Sequence, residues 1–265
     1  MLFRSGAFYR EDSLYAGYTM VFGPGNNLHR CQYLGRNSEY YSEDGNMAYT
    51  MALLQANEMS KKGVITGFKH FALNDQETNR HGVAVFASEQ ACRELYLRAF
   101  EGCLSDGAGL GVMSSYNRIG LTASPACKAL QTEILREEWG FQGINITDSA
   151  KDASDYFHAR ECLEAGTDLF LSDTSRIDEL VKPVKTTDDG NLLSRMQLAN
   201  KHFYYAHSRS MLINGLTKDS KIENTVYWWQ PALIAVCCVF GAATVTTAAL
   251  YAVSAWNEKK EKEHA

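Results

Sequence analysis

The chain has 265 residues, 45% hydrophobic and 22% charged, with a formal net charge of −5. These are ordinary globular values. The acidic balance and the lack of a basic stripe exclude a nucleic-acid partner, and with four prolines there is no low-complexity linker and no internal repeat. Seven cysteines, an odd number without C-x-x-C spacing, argue against both a disulfide framework and a zinc site. They read mostly as small buried hydrophobes.

In chain order, "MLFRSGAFYRED" lacks the apolar core of a signal peptide, and it is not a clean domain start. A first apolar run, Met20 to Gly23, ends in "PGNNLHR". A helix is predicted over Glu43–Lys61, followed by a second run, Val64 to Phe68, that ends at Lys69 and His70. Ser88–Leu104 reads as a helix with Ser88 as N-cap and Leu95, Ala99 and Cys103 on one face. The third run, Leu110 to Met113, ends in "SSYN". Ser124 before Pro125 suggests an N-cap and first-turn pair for a helix over Pro125–Trp139, with Leu130 and Ile134 sharing a face. The fourth run, Ile144 to Ile146, ends in Thr147 and Asp148; a short helix over Asp155–Glu164 follows; the fifth run, Leu169 to Leu171, ends in Ser172 and Asp173. A last helix spans Asn191–Asn214, with Leu193, Met196, Asn200, Phe203, His207 and Met211 at three-to-four spacing and Gly215 as its stop.

Near-continuous apolar runs suit strands buried on both faces, and strand–helix alternation argues a parallel sheet. Polar residues at every strand's C-terminal end suit a (β/α) barrel, although a doubly wound sheet also works at its strand ends. "GPGNN" is not G-x-G-x-x-G, so no dinucleotide loop is read. The fold class is therefore α/β, a partial (β/α)8 TIM-type barrel: five strands are found where a full barrel needs eight.

From Ala232 to Trp256 the chain runs without a charge, long enough to span a bilayer as a helix. Tyr227, Trp228 and Trp229 at one end, Tyr251 and Trp256 at the other, resemble interfacial belts, and a buried core helix is the competing reading. The predicted organisation is a barrel domain over 1–216, a linker over 217–230, a transmembrane helix over 231–256 and a charged tail over 257–265. Lys259, Lys260 and Lys262 place that tail in the cytoplasm and the barrel outside the cell; Lys218 and Lys221 make the bias small.

"GPGNNLHR", "GRNSEYYSEDG", "GFKHFALNDQETNR", "VMSSYN", "REEWGFQG" and "INITDSA" occur in that order between about Met20 and Gly215. Together they resemble glycoside hydrolase family 3, the β-glucosidase and β-xylosidase type. The resemblance implies hydrolysis of O-glycosidic bonds at the non-reducing end of β-linked gluco-oligosaccharides, with "QETNR" pointing to the glucosidase-like branch. It makes Asp148 the nucleophile of a retaining mechanism, in which the carboxylate attacks the anomeric carbon and water hydrolyses the glycosyl-enzyme. Lys69 and His70 would hydrogen-bond the sugar hydroxyls, Arg36 would bind the sugar, and Tyr116 would steady the nucleophile's carboxylate. Ser149 stands where the family often has Trp. Asn74, Gln76, Glu77, Asn79 and Arg80 divide between bracing the site and lining its mouth; Glu39, Asp44, His29 and Arg30 read as structural, and Asp173 stays open. No metal and no organic cofactor are implied.

A retaining mechanism needs a second carboxyl about 5–5.5 Å from the first, and none announces itself. In the family it commonly comes from another domain. The expectation is thus a piece of a longer, surface-anchored hydrolase whose upstream part supplies the acid/base. The alternative is a non-catalytic, membrane-anchored carbohydrate-binding remnant.

Overall fold

The five apolar runs form five parallel strands. A computed structural model describes residues 2–81, 83–105, 109–150, 158–171, 182, 188–213 and 226–264. The strands in chain order are β1 (Met20–Val21), β2 (Ile65–Phe71), β3 (Ala84–Val85), β4 (Gly111–Ser114), β5 (Arg118–Ile119), β6 (Thr122–Ala123), β7 (Ile144–Ser149) and β8 (Leu169–Leu171). The helices are α1 (Leu2–Ala16), α2 (Gly45–Ser60), α3 (Glu89–Ala91, a π-helical stretch Cys92–Tyr96, then Arg98–Ser105), α4 (Ala129–Glu138, also π), α5 (Ala159–Ala165), α6 (Gly190–His207) and α7 (Trp229–His264). The chain divides into two units, Met1–Leu216 and Thr217–Ala265.

The main sheet has the order β1-β2-β4-β7-β8, every pair parallel. Strands neighbouring in the sheet follow one another along the chain, joined by crossovers that carry helices, the arrangement expected of consecutive βα units. The residues of β2 and β4 are buried almost throughout, which explains why they read as unbroken apolar runs. Gly67 and Gly111 pair across β2 and β4, and a Cβ on either would meet Met20 Cε, at 2.7 and 2.5 Å. The two glycines make room for the methionine that crosses them.

Leu28, Phe68, Phe71, Phe100, Val112 and Leu135 belong to one buried cluster with the alanines Ala48, Ala52 and Ala56 of α2. Phe71 meets the Phe100 ring edge-on, with centroids 5.4 Å apart. A second cluster joins Ile65, Met113, Ile144 and Ile146 of the sheet to Phe203 and Ala206 of α6.

Several expectations shift. The strand β2 runs on to Phe71, so Lys69 and His70 lie in the strand itself. In α3 the Ser88 hydroxyl does accept from Ala91 N, at 3.2 Å, but Leu95 is exposed while Leu97 and Phe100 are buried with Ala99 and Cys103. The π stretch adds a residue to the turn and rotates the apolar face. Ser124 does not cap a helix; it opens a short 3-10 turn, and its hydroxyl donates to Phe71 O at 2.9 Å. Along α6, capped by Asp189, the buried stripe is Leu192, Ala199, His202 and Ala206, displaced from the predicted face, and the helix stops at His207. Only Cys103 and Cys162 of the seven cysteine thiols are buried. The small sheet β3-β5-β6 was not foreseen, because its strands are two residues long. Asp173 and Gly215 lie outside the described residues.

In the second unit, α7 carries a segment, Trp229–Asn257, long and apolar enough to cross a membrane. Pro231 lies in its first turn, where the missing N–H costs no hydrogen bond.

Candidate active site

The site is built where β2 and β7 end. Beyond β1 the chain continues beside β2 as "PGNN". Lys69 N donates to Pro24 O at 3.1 Å and Asn26 N to Lys69 O at 2.6 Å. There the backbone pairing stops and a side chain takes over. Asn27 Nδ2 donates to His70 O at 2.9 Å, and His70 N donates to Asn27 Oδ1 at 2.7 Å. The buried amide thus occupies the place of a further peptide unit. Its neighbour Asn26 reaches the other way, to Ala99 O of α3 at 2.9 Å. Asn27→Ala would leave a buried N–H and C=O unpaired, a cost of about 1–3 kcal/mol. Chemical denaturation is expected to show that loss.

The loop that follows is fixed by His29, whose Nε2 lies 2.9 Å from Asn37 O and 3.1 Å from Tyr40 O. His29 is structural, as expected. A 3-10 turn, Asn37–Glu39, then sets Arg36 and Glu39 beside β2. Glu39 Oε1 pairs with Arg36 Nε, and its Oε2 lies 3.1 Å from Lys69 Nζ. Glu77 accepts from Arg80 at 2.7 Å and lies 3.6 Å from Arg36. Asp44 caps α2 through Met47 N, at 2.7 Å.

Asp148 stands at the C-terminal end of β7, its side chain 17% exposed. Ser149 N donates to its Oδ1 at 2.7 Å, and His70 Nε2 is 3.7 Å from its Oδ2. Burial raises the Asp148 pKa above the ordinary carboxylate value; the Ser149 N–H and the charges of Arg80, Arg36 and Lys69 offset part of that. His70 is only 2% exposed. Burial first, then the same three cations, hold its pKa well below the usual value, so the imidazole is neutral. Its Nδ1 lies 3.5 Å from the Tyr40 hydroxyl, which accepts from Asn74 Nδ2 at 3.4 Å. Burial also raises the Tyr40 phenol, which therefore keeps its proton.

The structure thus gathers the sequence-predicted residues. Arg36, Lys69 and His70 come from the first two βα units and Asp148 from the fourth strand of the sheet. Tyr116 is buried close by, with Arg80 stacked 4.4 Å over its ring and His81 beside it. Its hydroxyl donates to Ser149 O at 2.7 Å. It therefore holds the Ser149 carbonyl, one residue beyond Asp148. Asn74, Glu77 and Arg80 brace the cluster, whereas Gln76 and Asn79 are exposed. Glu77, Asn79, Arg80 and His81 line an open cavity of about 430 Å³. Asn27 is the residue that sequence reasoning passed over. Its only signal was a pair of asparagines directly after the Gly-Pro-Gly turn.

A profile described as the glycosyl hydrolase family 3 N terminal domain matches residues 3–202, well over half of the chain. The chain belongs to glycosyl hydrolase family 3. It is 41% identical over 128 residues to a β-glucosidase of Ruminococcus albus, an alignment covering 48% of this chain and 14% of that protein. It is 36% identical over 186 residues to an exo-α-(1→6)-L-arabinopyranosidase of Bifidobacterium longum, covering 70% of this chain and 24% of the relative. The structure of β-glucosidase 3B from Thermotoga neapolitana in complex with glucose superposes with a TM-score of 0.71 at 29% identity, over 80% of this chain and 30% of that one. The family 3 chain described here therefore matches only a minor part of each relative's length. The parallel sheet corresponds to part of the barrel in such relatives.

Proposed function

We propose that this chain carries the glycone-binding and nucleophile half of a family 3 glycosidase acting on β-linked glucosides with retention of configuration. The observation that carries the reading is Asp148, a partly buried carboxylate at a strand end, facing neutral His70 at 3.7 Å beside Lys69 and Arg36. Among the described residues no Lys or Arg pairs directly with Asp148, and a carboxylate so placed keeps its electron density for the anomeric carbon. Lys69, Arg36 and the His70 imidazole supply donors for sugar hydroxyls. Glu39 and Glu77 hold the cations in place. The reading therefore takes the acid/base from a carboxyl outside this cluster, contributed by another domain of the enzyme.

The second unit anchors the protein in this reading. An apolar helix from Trp229 to Asn257 with aromatic residues at both ends suits a single pass. The lysines after Trp256 favour a cytoplasmic tail and an extracellular site.

The test is release of nitrophenol from an aryl β-glucoside by the full chain in detergent micelles, beside an aryl α-L-arabinopyranoside. Hydrolysis with preference for the glucoside supports the proposal. Glucose binding without hydrolysis by a folded sample supports the carbohydrate-binding alternative. Neither binding nor hydrolysis sinks both.

A further inference from the structure

A second cavity lies before β8, at the end of the sheet opposite to Asp148. It measures about 260 Å³ and is walled by α4, α5 and α6. Sites for drug-sized ligands run to about 300–1,000 Å³, so this one suits a small ligand. Arg195, Ala199 and His202 reach it from one face of α6, at three-to-four spacing, with Lys201 beside them; Arg136 reaches it from α4. His202 is 6% exposed. Its Nδ1 lies 2.8 Å from Asp168 Oδ1, so the carboxylate keeps the ring proton on that nitrogen. The other nitrogen, Nε2, has no hydrogen-bond partner among the described residues, and the ring lines the cavity. Buried polar atoms are ordinarily bonded, so an unused nitrogen here calls for a ligand. Arg195 is half-buried and Lys201 exposed, and among the described residues neither pairs with a carboxylate. Of the carboxylates in the lining, Asp168 is spent on Arg136, Asn145 N and His202, and Glu137 stands on the exposed side of α4. A guanidinium fork, an ammonium and an imidazole edge are thus left to one small space. A planar carboxylate would satisfy the fork alone. A tetrahedral phosphate has oxygens for all three. Towards phosphate, Nε2 donates when the ring is protonated and accepts from a P–OH when it is neutral.

We propose that the cavity between α4 and α6 is a phosphate site, taking the inorganic ion or a small phosphomonoester through Arg195, Lys201 and His202. The inference goes beyond the proposed function and does not depend on it. The site lies at the end of the sheet away from Asp148, so its ligand is not the glycoside. Its occupant acts on stability: an anion held only by the folded chain draws the equilibrium towards that state by mass action.

The experiment titrates inorganic phosphate into the full chain in detergent micelles by calorimetry, at ionic strength held constant with sodium chloride, and follows the melting temperature alongside. The wild type is expected to bind phosphate saturably, to melt higher in its presence, and to bind malonate at least about tenfold more weakly. Arg195→Gln and Lys201→Gln are each expected to weaken phosphate binding by about tenfold, the loss that follows when one charge-assisted donor goes. Both side chains lack protein partners among the described residues, so both variants should fold as the wild type does. Lys128→Gln removes an equal charge from the exposed start of α4, outside the cavity, and is expected to change nothing. Glucose added at saturation should leave phosphate binding as it was. No saturable binding by the folded wild type overturns the proposal. So does an equal loss in Lys128→Gln, which would reduce the effect to surface charge. Malonate bound as tightly as phosphate overturns the ligand class. Competition between phosphate and glucose would move the anion to Lys69 and Arg36 and overturn the site. Phosphate binding with these variant effects upholds the inference whether or not the chain binds glucose, so its fate and that of the proposed function are read separately.

Discussion

Asp148→Asn is expected to abolish hydrolysis of an aryl β-glucoside, with a loss of kcat of at least about 10³-fold, roughly 4 kcal/mol of transition-state stabilisation. The amide is isosteric, still accepts from Ser149 N, and cannot attack the anomeric carbon. Glucose binding should survive, because Lys69, Arg36 and His70 do not need the negative charge to keep their places: Lys69 and Arg36 are held by Glu39, and His70 is held through its backbone by Asn27. Stability should not fall either. The folded Asp148 pKa lies above that of an unfolded Asp. The folded state therefore binds this proton more tightly, and the group favours folding below the unfolded value near 3.8. That contribution fades as pH rises through the folded pKa, and at neutral pH the ionised carboxylate opposes folding. Removing the charge should leave the melting temperature at pH 7 unchanged or higher. A variant that hydrolyses at wild-type rate would dismiss Asp148 as nucleophile. A variant that melts well below wild type would mean the carboxylate has a structural task that this geometry does not contain.

The architecture was open to reading because the main strands are buried on both faces and separated by helical stretches. All five runs pair in parallel and in chain order. What escaped has physical reasons. Lys69 and His70 break the apolar run, so the strand seemed to end before them; the loop from Pro24 to Asn27 carries the ladder on. Two-residue strands have no periodicity to detect, and a π stretch changes the period on which a helical face is predicted. At the site, carboxylate, histidine and lysine at strand ends suggested chemistry, but their roles came from the resemblance. Glu39 pairs with its near neighbour Arg36 and also with Lys69 of β2, thirty residues on, and no local pattern announces the second contact. The same holds for Arg136, Asp168 and His202, which the sequence leaves as three ordinary polar residues.

Those three give the largest expected effect on stability. Asp168 precedes β8, at the end of the sheet opposite to Asp148, and its side chain is 3% exposed. Its Oδ2 accepts from Arg136 at 2.6 Å and from Asn145 N at 2.7 Å, and His202 Nδ1 lies 2.8 Å from its Oδ1. Arg136, on α4, also donates to Phe141 O at 3.0 Å and Gly143 O at 2.6 Å. One carboxylate thus joins α4, β7 and α6. Burial pulls the Arg136 pKa down, and Asp168 is the charge that opposes this. Asp168→Ala would strand a guanidinium whose side chain is only 11% exposed, and losing one partner of a buried pair costs about 3–5 kcal/mol. For a unit of this size that is a fall of roughly 6–20 °C in melting temperature. Replacing both members, Asp168→Leu with Arg136→Met, should recover much of the loss, because the desolvation of two charges disappears with the pair. A drop below about 1 kcal/mol for Asp168→Ala would show that water reaches Arg136 and that the network is a surface bridge. Because the cluster lies at the strands' N-terminal end, the folded fraction of Asp168→Ala should bind glucose with wild-type affinity. A changed affinity would mean that the two ends of β7 are coupled.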